Sequence, residues 1–293
     1  MHDDDNPVPP RRRTLALAAA AALIAATAGW LVWETTGGAA EPASRALGPG
    51  PAAPGPVRST SSPVPPTAAP SLAGKTVVID PGHNPGNFAH PREINRLVDI
   101  GTNRKECDTT GTSTDSGYTE AAFTLDVSHR LRTLLREQGA TVTFTHDADR
   151  PYGPCIDERA RIGNAAKADA VVSLHADGSG TGNRGFHVIL PALVKNGAAD
   201  TTAIVAPSRA LGQRVAREFA LATGTAPANY VGGGTGLDVR KDLGGLNLST
   251  VPKVFIECGN MRDPKDAALL TDPAWRQKAA RGIAAGVSTY LRG

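Results

Sequence analysis

Two histidines and two glutamates in this chain stand where metal-assisted hydrolysis would need them. His83 closes the stretch Thr76-Val-Val-Ile-Asp-Pro-Gly-His83, and His175 closes Ala170-Val-Val-Ser-Leu-His175. Glu257 closes Lys253-Val-Phe-Ile-Glu257, immediately before Cys258 and Gly259, while Glu120 lies in the first turn of an expected helix. A catalytic zinc ion takes about three protein ligands drawn from imidazole and carboxylate and keeps a fourth position open to water. His83, Glu120 and His175 meet that requirement, and a second carboxylate nearby, Glu257, can take the proton of the water. The four are scattered and lack the specificity of a helical HExxH.

Plainer readings compete with this one. A histidine after a strand often serves as a hydrogen-bonded turn residue, and Glu120 can simply complement a helix N-terminus. Glu257 resists such a reading, because a carboxylate in what should be a buried strand is costly unless paired or bound to metal. Of the other histidines, His129 falls on an amphipathic helix, His187 inside a strand, and His90 and His146 in loops. Asp80 is expected to brace the turn or a histidine ring and not to bind metal. No G-x-S-x-G elbow is present, which argues against a serine hydrolase. Gly232-Gly-Gly-Thr-Gly236 lacks the Lys-Ser/Thr of a phosphate loop and reads as a rim loop.

For these groups to meet, the three apolar runs must be strands whose C-terminal ends share one edge, the edge at which open α/β sheets bind ligands. The chain between them supplies the helices. Residues 119–138 carry apolar side chains at a near-helical period closed by Gly139. Residues 141–145 alternate like a strand, 156–168 read as a helix, 185–190 as a strand and 208–223 as a helix. A short strand is expected at 237–240, and helices start at Pro264 and Pro273. Residues 84–117 form a polar, turn-rich segment with a short helix expected around 92–98. Strands alternating with helices predict one α/β domain: a mostly parallel twisted sheet flanked by helices.

The folded part is shorter than the 293-residue chain. Residues 1–13 form an acidic, proline-bearing tail ending in Arg11-Arg12-Arg13, expected to be cytoplasmic. Residues 14–33 are uncharged, apolar and long enough to cross a bilayer, and they read as a transmembrane anchor or a cleavable signal that exports everything after them. Residues 34–74 are dominated by Gly, Ala, Pro, Ser and Thr and read as a disordered linker, which leaves 75–293 as the catalytic domain. A formal net charge of only +3 gives no nucleic-acid face. Three cysteines without CxxC spacing make neither a disulfide scaffold nor a thiolate zinc site.

Val77-Val-Ile-Asp-Pro-Gly-His83, Glu120 opening a helix, Ser173-Leu-His-Ala-Asp177 and Glu257-Cys-Gly-Asn260 with Asp266 beyond, in that order, resemble the zinc-dependent N-acetylmuramoyl-L-alanine amidase family of the amidase_3 type. The resemblance runs from about Lys75 to the C-terminus. It implies one Zn²⁺ held by His83, Glu120 and His175, a catalytic Glu257, and cleavage of the amide between the lactyl group of N-acetylmuramic acid and L-alanine of the stem peptide. Peptidoglycan is then the partner, met as a monomer outside the cytoplasm. Asn84-Pro85-Gly86 and Asp177 depart from the family's commoner residues, and no long insertion of the kind that blocks the site in some relatives follows His175. Arg240 and Lys241 are candidates for binding stem-peptide carboxylates. Export also predicts a Cys107–Cys155 disulfide with Cys258 free. The competing functions are a non-catalytic wall-binding protein of the same fold and another exported zinc hydrolase, a peptidase or a deacetylase.

Overall fold

The computed structural model describes residues 71–293. The expected tail 1–13, the apolar segment 14–33 and all but the last four residues of the linker 34–74 lie outside the described residues. Among the described residues no helix is long and apolar enough to cross a membrane.

The elements follow in the order β1 (Thr76–Pro81), α1 (Pro91–Ile94), β2 (Leu97–Asp99), β3 (Arg104–Glu106), α2 (Glu120–Glu137), β4 (Thr141–Phe144), α3 (Ile156–Ala165) and β5 (Ala170–Asp177). Then come β6 (His187–Pro191), β7 (Lys195–Asn196), β8 (Ala199–Asp200), α4 (Val205–Thr223), β9 (Leu237–Arg240), α5 (Gly244–Asn247), β10 (Lys253–Asn260), α6 (Pro264–Thr271) and α7 (Pro273–Arg292). Six strands make the main sheet in the order β4-β1-β5-β10-β6-β9. The first four run parallel, β6 turns antiparallel to β10, and β9 runs parallel to β6. This is the α/β architecture expected, with the C-terminal ends of β1, β5 and β10 on one edge.

Alternation of the strand side chains sorts the helices into two layers. Val77 and Ile79 of β1, Val172 and Leu174 of β5, and Val254 and Ile256 of β10 share a core with α2, α4 and α7. Val78 and Val171 face the other way, onto Ile162 of α3. Helix α2 forms because Thr119 caps it, its hydroxyl accepting from the Ala122 amide, and because Phe123, Val127, Leu131 and Leu135 line one face at helical spacing. Each of these large side chains contributes roughly 1.5–3 kcal/mol by burial, and Phe123→Ala would cost about 3–5 kcal/mol. Packing starts before Lys75: Leu72 is fully buried and its amide donates to the Gln138 carbonyl at 2.8 Å.

The polar segment after β1 differs from expectation. The short helix ends at Ile94, and Leu97–Asp99 instead pairs as a strand with Arg104–Glu106. Val98, Ile100 and the Cys107–Cys155 disulfide form a small separate core under this hairpin, which gives the segment more to gain by pairing than by continuing as a helix. Cys258 is free and buried.

Candidate functional site

The turn after β1 presents His83 in a left-handed conformation, φ +60°. A non-glycine residue stays there only where its surroundings hold it. Arg159 donates to its carbonyl oxygen at 3.3 Å, and the ring Nδ1 lies 3.1 Å from the Thr109 carbonyl. Donation from Nδ1 to that carbonyl makes Nε2 the ring nitrogen available to a metal. Nε2 faces Glu120 Oε2 at 3.1 Å.

Glu120 is the first residue of α2, and backbone amides fix both its oxygens: Thr112 donates to Oε2 at 3.0 Å and Ala176 to Oε1 at 3.1 Å. His175, inside β5, sets Nδ1 2.9 Å from Oε1, and its ring stacks on Phe255 of the neighbouring strand with centroids 5.2 Å apart. The two imidazoles meet edge to face at 5.0 Å. Glycines make room for this. A Cβ at Gly82 would strike the His175 ring, and one at Gly111, itself at φ +73°, would lie 2.8 Å from the His83 ring and 2.9 Å from Glu120 Oε2.

His83, Glu120 and His175 each offer a ligand atom, and these atoms all lie within 4.8 Å of one another; among the described residues no other such group occurs. Two imidazole nitrogens and a carboxylate converging on one point need positive charge among them, and the donor set suits a divalent cation of the kind that takes nitrogen and oxygen ligands. The electrostatics agree. Burial works against the charged form of His83, yet the Glu120 and Asp108 carboxylates outweigh it and carry the pKa up to about 10. Burial would raise Glu120, but His83 and His175 hold it well below the ordinary carboxylate range.

Glu257 lies on β10, beside His175 in the parallel register and beside His187 across the antiparallel pair. Its Oε2 is shut away from solvent and has no hydrogen-bond partner. Burial, and then the negative charges of Glu120 and Asp177, push its pKa up. A cavity of about 220 Å³ opens over His83, Glu120, His175, Asp177, Arg240 and Glu257. Arg240, clamped by Asp242 at 2.9 and 2.6 Å, lines it, whereas Lys241 is exposed and does not. A second cavity of about 180 Å³ runs from His83 and His175 to Lys105 and Asp242.

The remaining histidines among the described residues stay apart from the cluster. His129 pairs with Asp147, His90 lies 3.8 Å from Glu93, His146 bonds the Pro81 carbonyl, and His187 is buried with Nδ1 unpartnered. Asp80 braces more than a turn: it accepts from Thr145 and Arg159 on one oxygen and from Ser173 and Lys253 on the other. Arg159 continues to Asp108 at 2.9 Å, whose other oxygen lies 3.6 Å from His83 Nδ1. Asp108, Arg159 and Lys253 were not singled out from sequence. Their types are those of surface residues, and only the place of Lys253 and Asp80 in apolar strands hinted at a buried pair.

The family model for N-acetylmuramoyl-L-alanine amidases (Amidase_3) matches residues 77–289. The chain is 42% identical to N-acetylmuramoyl-L-alanine amidase Rv3717 of Mycobacterium tuberculosis over 222 residues, 75% of this chain and 88% of that one. The crystal structure of the N-acetylmuramyl-L-alanine amidase Ami1 from Mycobacterium smegmatis superposes with a TM-score of 0.68 at 40% identity, covering 75% of this chain and 98% of that one. The apo form of Ami1 from Mycobacterium abscessus gives the same TM-score of 0.68 and 40% identity, over 75% and 100% of the two chains.

Proposed function

The chain belongs to the N-acetylmuramoyl-L-alanine amidase family, and from that premise we propose that it hydrolyses the amide between the lactyl group of N-acetylmuramic acid and L-alanine of peptidoglycan with one Zn²⁺ held by His83, Glu120 and His175. The observation that carries this reading is the convergence of those three donors beside a buried, unpartnered oxygen of Glu257. When bound, Zn²⁺ supplies Lewis-acid polarisation of a carbonyl and makes a water acidic enough to ionise near neutrality.

The protein side chains do the rest. Glu257 has the free oxygen and the raised proton affinity of a general base; it takes the proton of the attacking water and returns it to the leaving amine of L-alanine. His83 and His175 are held by Thr109, Glu120 and Phe255, so their nitrogens need little rearrangement to bind. Arg240 at the cavity rim is placed to meet a stem-peptide carboxylate.

We take residues 75–293 as the catalytic unit, with Leu72 packing onto it, and residues 14–33 as the segment that exports or anchors it, joined by the 34–74 linker, with 1–13 on the cytoplasmic side. The substrate is then met outside the cytoplasm. All four site residues come from one chain, so a monomer suffices. Digestion of purified peptidoglycan followed by mass spectrometry tests the reading. Intact stem peptide with a free L-alanine amine is expected; acetate would mean a deacetylase, shortened peptide a peptidase, and no product a wall-binding protein.

A further inference from the structure

Three neighbouring strands set three titratable side chains in one row. His175 on β5 pairs with Glu257 on β10 in the parallel register, and Glu257 pairs with His187 on β6 in the antiparallel one. Side chains at paired positions project to the same face of a sheet. The Glu257 carboxylate therefore stands between two imidazoles. One of them is a proposed metal ligand. The other, His187, belongs neither to the group of three converging donors nor to the lining of the cavity above them.

The second pair holds two buried polar atoms without partners. His187 is 4% exposed and its Nδ1 makes no hydrogen bond; Glu257 Oε2 is in the same condition. Folded proteins leave few such atoms, and two at directly opposed positions are within reach of one another, because the Cβ atoms of such a pair lie about 4.5–5.5 Å apart. Hydrogen bonds at reaction centres often close only when substrate is bound.

The imidazole is fixed from several sides. On its own strand the Val188 amide donates to the Gly236 carbonyl at 2.8 Å, and the Phe186 carbonyl accepts from the Ala228 amide at 2.7 Å. The Tyr230 ring packs edge-on against it with centroids 5.9 Å apart, and the Tyr230 hydroxyl is tied to Asp177 at 2.7 Å. Burial, helped by Arg240, outweighs the pull of Asp177 and Asp238 and lowers the proton affinity of the ring. A neutral imidazole can orient a carboxylate without setting a positive charge beside it, so it leaves the basicity of that carboxylate largely intact.

We propose that His187 is the positioning residue of the general base: once substrate fills the cavity, its Nδ1–H donates to one oxygen of Glu257 and leaves the other oxygen turned toward the attacking water. This role rests on the amidase reading. It divides the carboxylate's two acceptors between the scaffold and the reaction, so that a side chain with three rotatable bonds meets the water in one orientation.

The test compares a variant without a donor to one that keeps it. His187→Leu should lower kcat for stem-peptide release about tenfold, the effect of one hydrogen bond lost in the transition state, with KM and zinc content unchanged. His187→Asn, whose amide nitrogen can take the place of Nδ1, should restore most of that loss. In the Glu257→Gln background His187→Leu should cost nothing further, because a residue that acts through Glu257 has nothing left to orient. His187→Met, also without a donor, serves if the leucine variant does not fold. Wild-type kcat in His187→Leu, equal losses in the Leu and Asn variants, or the same tenfold loss in the Glu257→Gln background would overturn the role. A wild-type protein that releases no stem peptide would instead overturn the amidase reading and the role with it.

Discussion

Glu257 and His175 are direct partners across the parallel pair β5–β10. Side chains at paired positions of neighbouring strands project to the same face. The unpartnered carboxylate oxygen is therefore held next to a proposed metal ligand by backbone register, not by a flexible loop. The bulge that follows, where the register shifts between Glu257 and Asn260, comes after this pair and leaves it in place.

Glu257→Gln should separate binding from chemistry. The amide keeps the size and reach of the carboxylate but cannot accept the water proton, so turnover should fall at least about 100-fold with zinc content unchanged. Zinc by atomic absorption and stem-peptide release are measured on the same sample. Near-wild-type release would refute the role of base, and loss of zinc would make Glu257 a ligand.

The purified protein should carry about one zinc per chain, and His83→Ala or His175→Ala should each strip it. The change removes one of three donors and leaves the Glu120 carboxylate short of a partner. Circular dichroism checks that the fold survives. Unchanged metal content in both variants would place the ligands elsewhere.

The sheet edge that carries the candidate site was legible because β-branched runs ending in a histidine or a glutamate, as at Ile79 to His83 and Ile256-Glu257, carry both a strand and its terminal group in consecutive residues. The direction of β6 was not, since His187–Pro191 has the same apolar pattern whether it runs parallel or antiparallel to β10. Nor was the chain of ion pairs from Asp80 through Arg159 to Asp108. Its members are 79 and 51 residues apart along the chain, and a single charged residue reads as solvated until the fold shows it buried. The helix expected at 92–98 gives way to the strand Leu97–Asp99 because three residues are too few to show a period; tertiary pairing and the adjacent disulfide decide it.

The disulfide ties this hairpin to the residue that caps α3, the helix carrying Arg159. The cysteines are 48 residues apart. In the chain-entropy model, closing such a loop stabilises the fold by up to about 4 kcal/mol. Replacing both by alanine should lower the urea midpoint accordingly. Peptide mapping without reduction should find neither Cys107 nor Cys155 alkylated, and finding both alkylated would sink the pairing in solution.

Acid should act through Asp80. Burial alone would raise its pKa, but Lys253 at 3.0 Å and Arg159 at 2.8 Å outweigh that and hold it far below the ordinary carboxylate range. Near pH 4 the unfolded chain, whose aspartates titrate at about 3.9, binds a proton that the folded chain refuses. Stability from this group is therefore complete above that value and is lost progressively as the pH falls toward the folded pKa. Asp80→Asn leaves Lys253 and Arg159 without their shared charge and should cost about 3–5 kcal/mol at pH 7. Because the titrating group is gone, the variant should also lose less of its remaining stability between pH 5 and about pH 2 than the wild type does. Urea midpoints for the two proteins across that range decide it. Parallel curves would mean that Asp108 and Glu120, which their cationic neighbours hold low against the opposing effect of burial, carry the acid sensitivity.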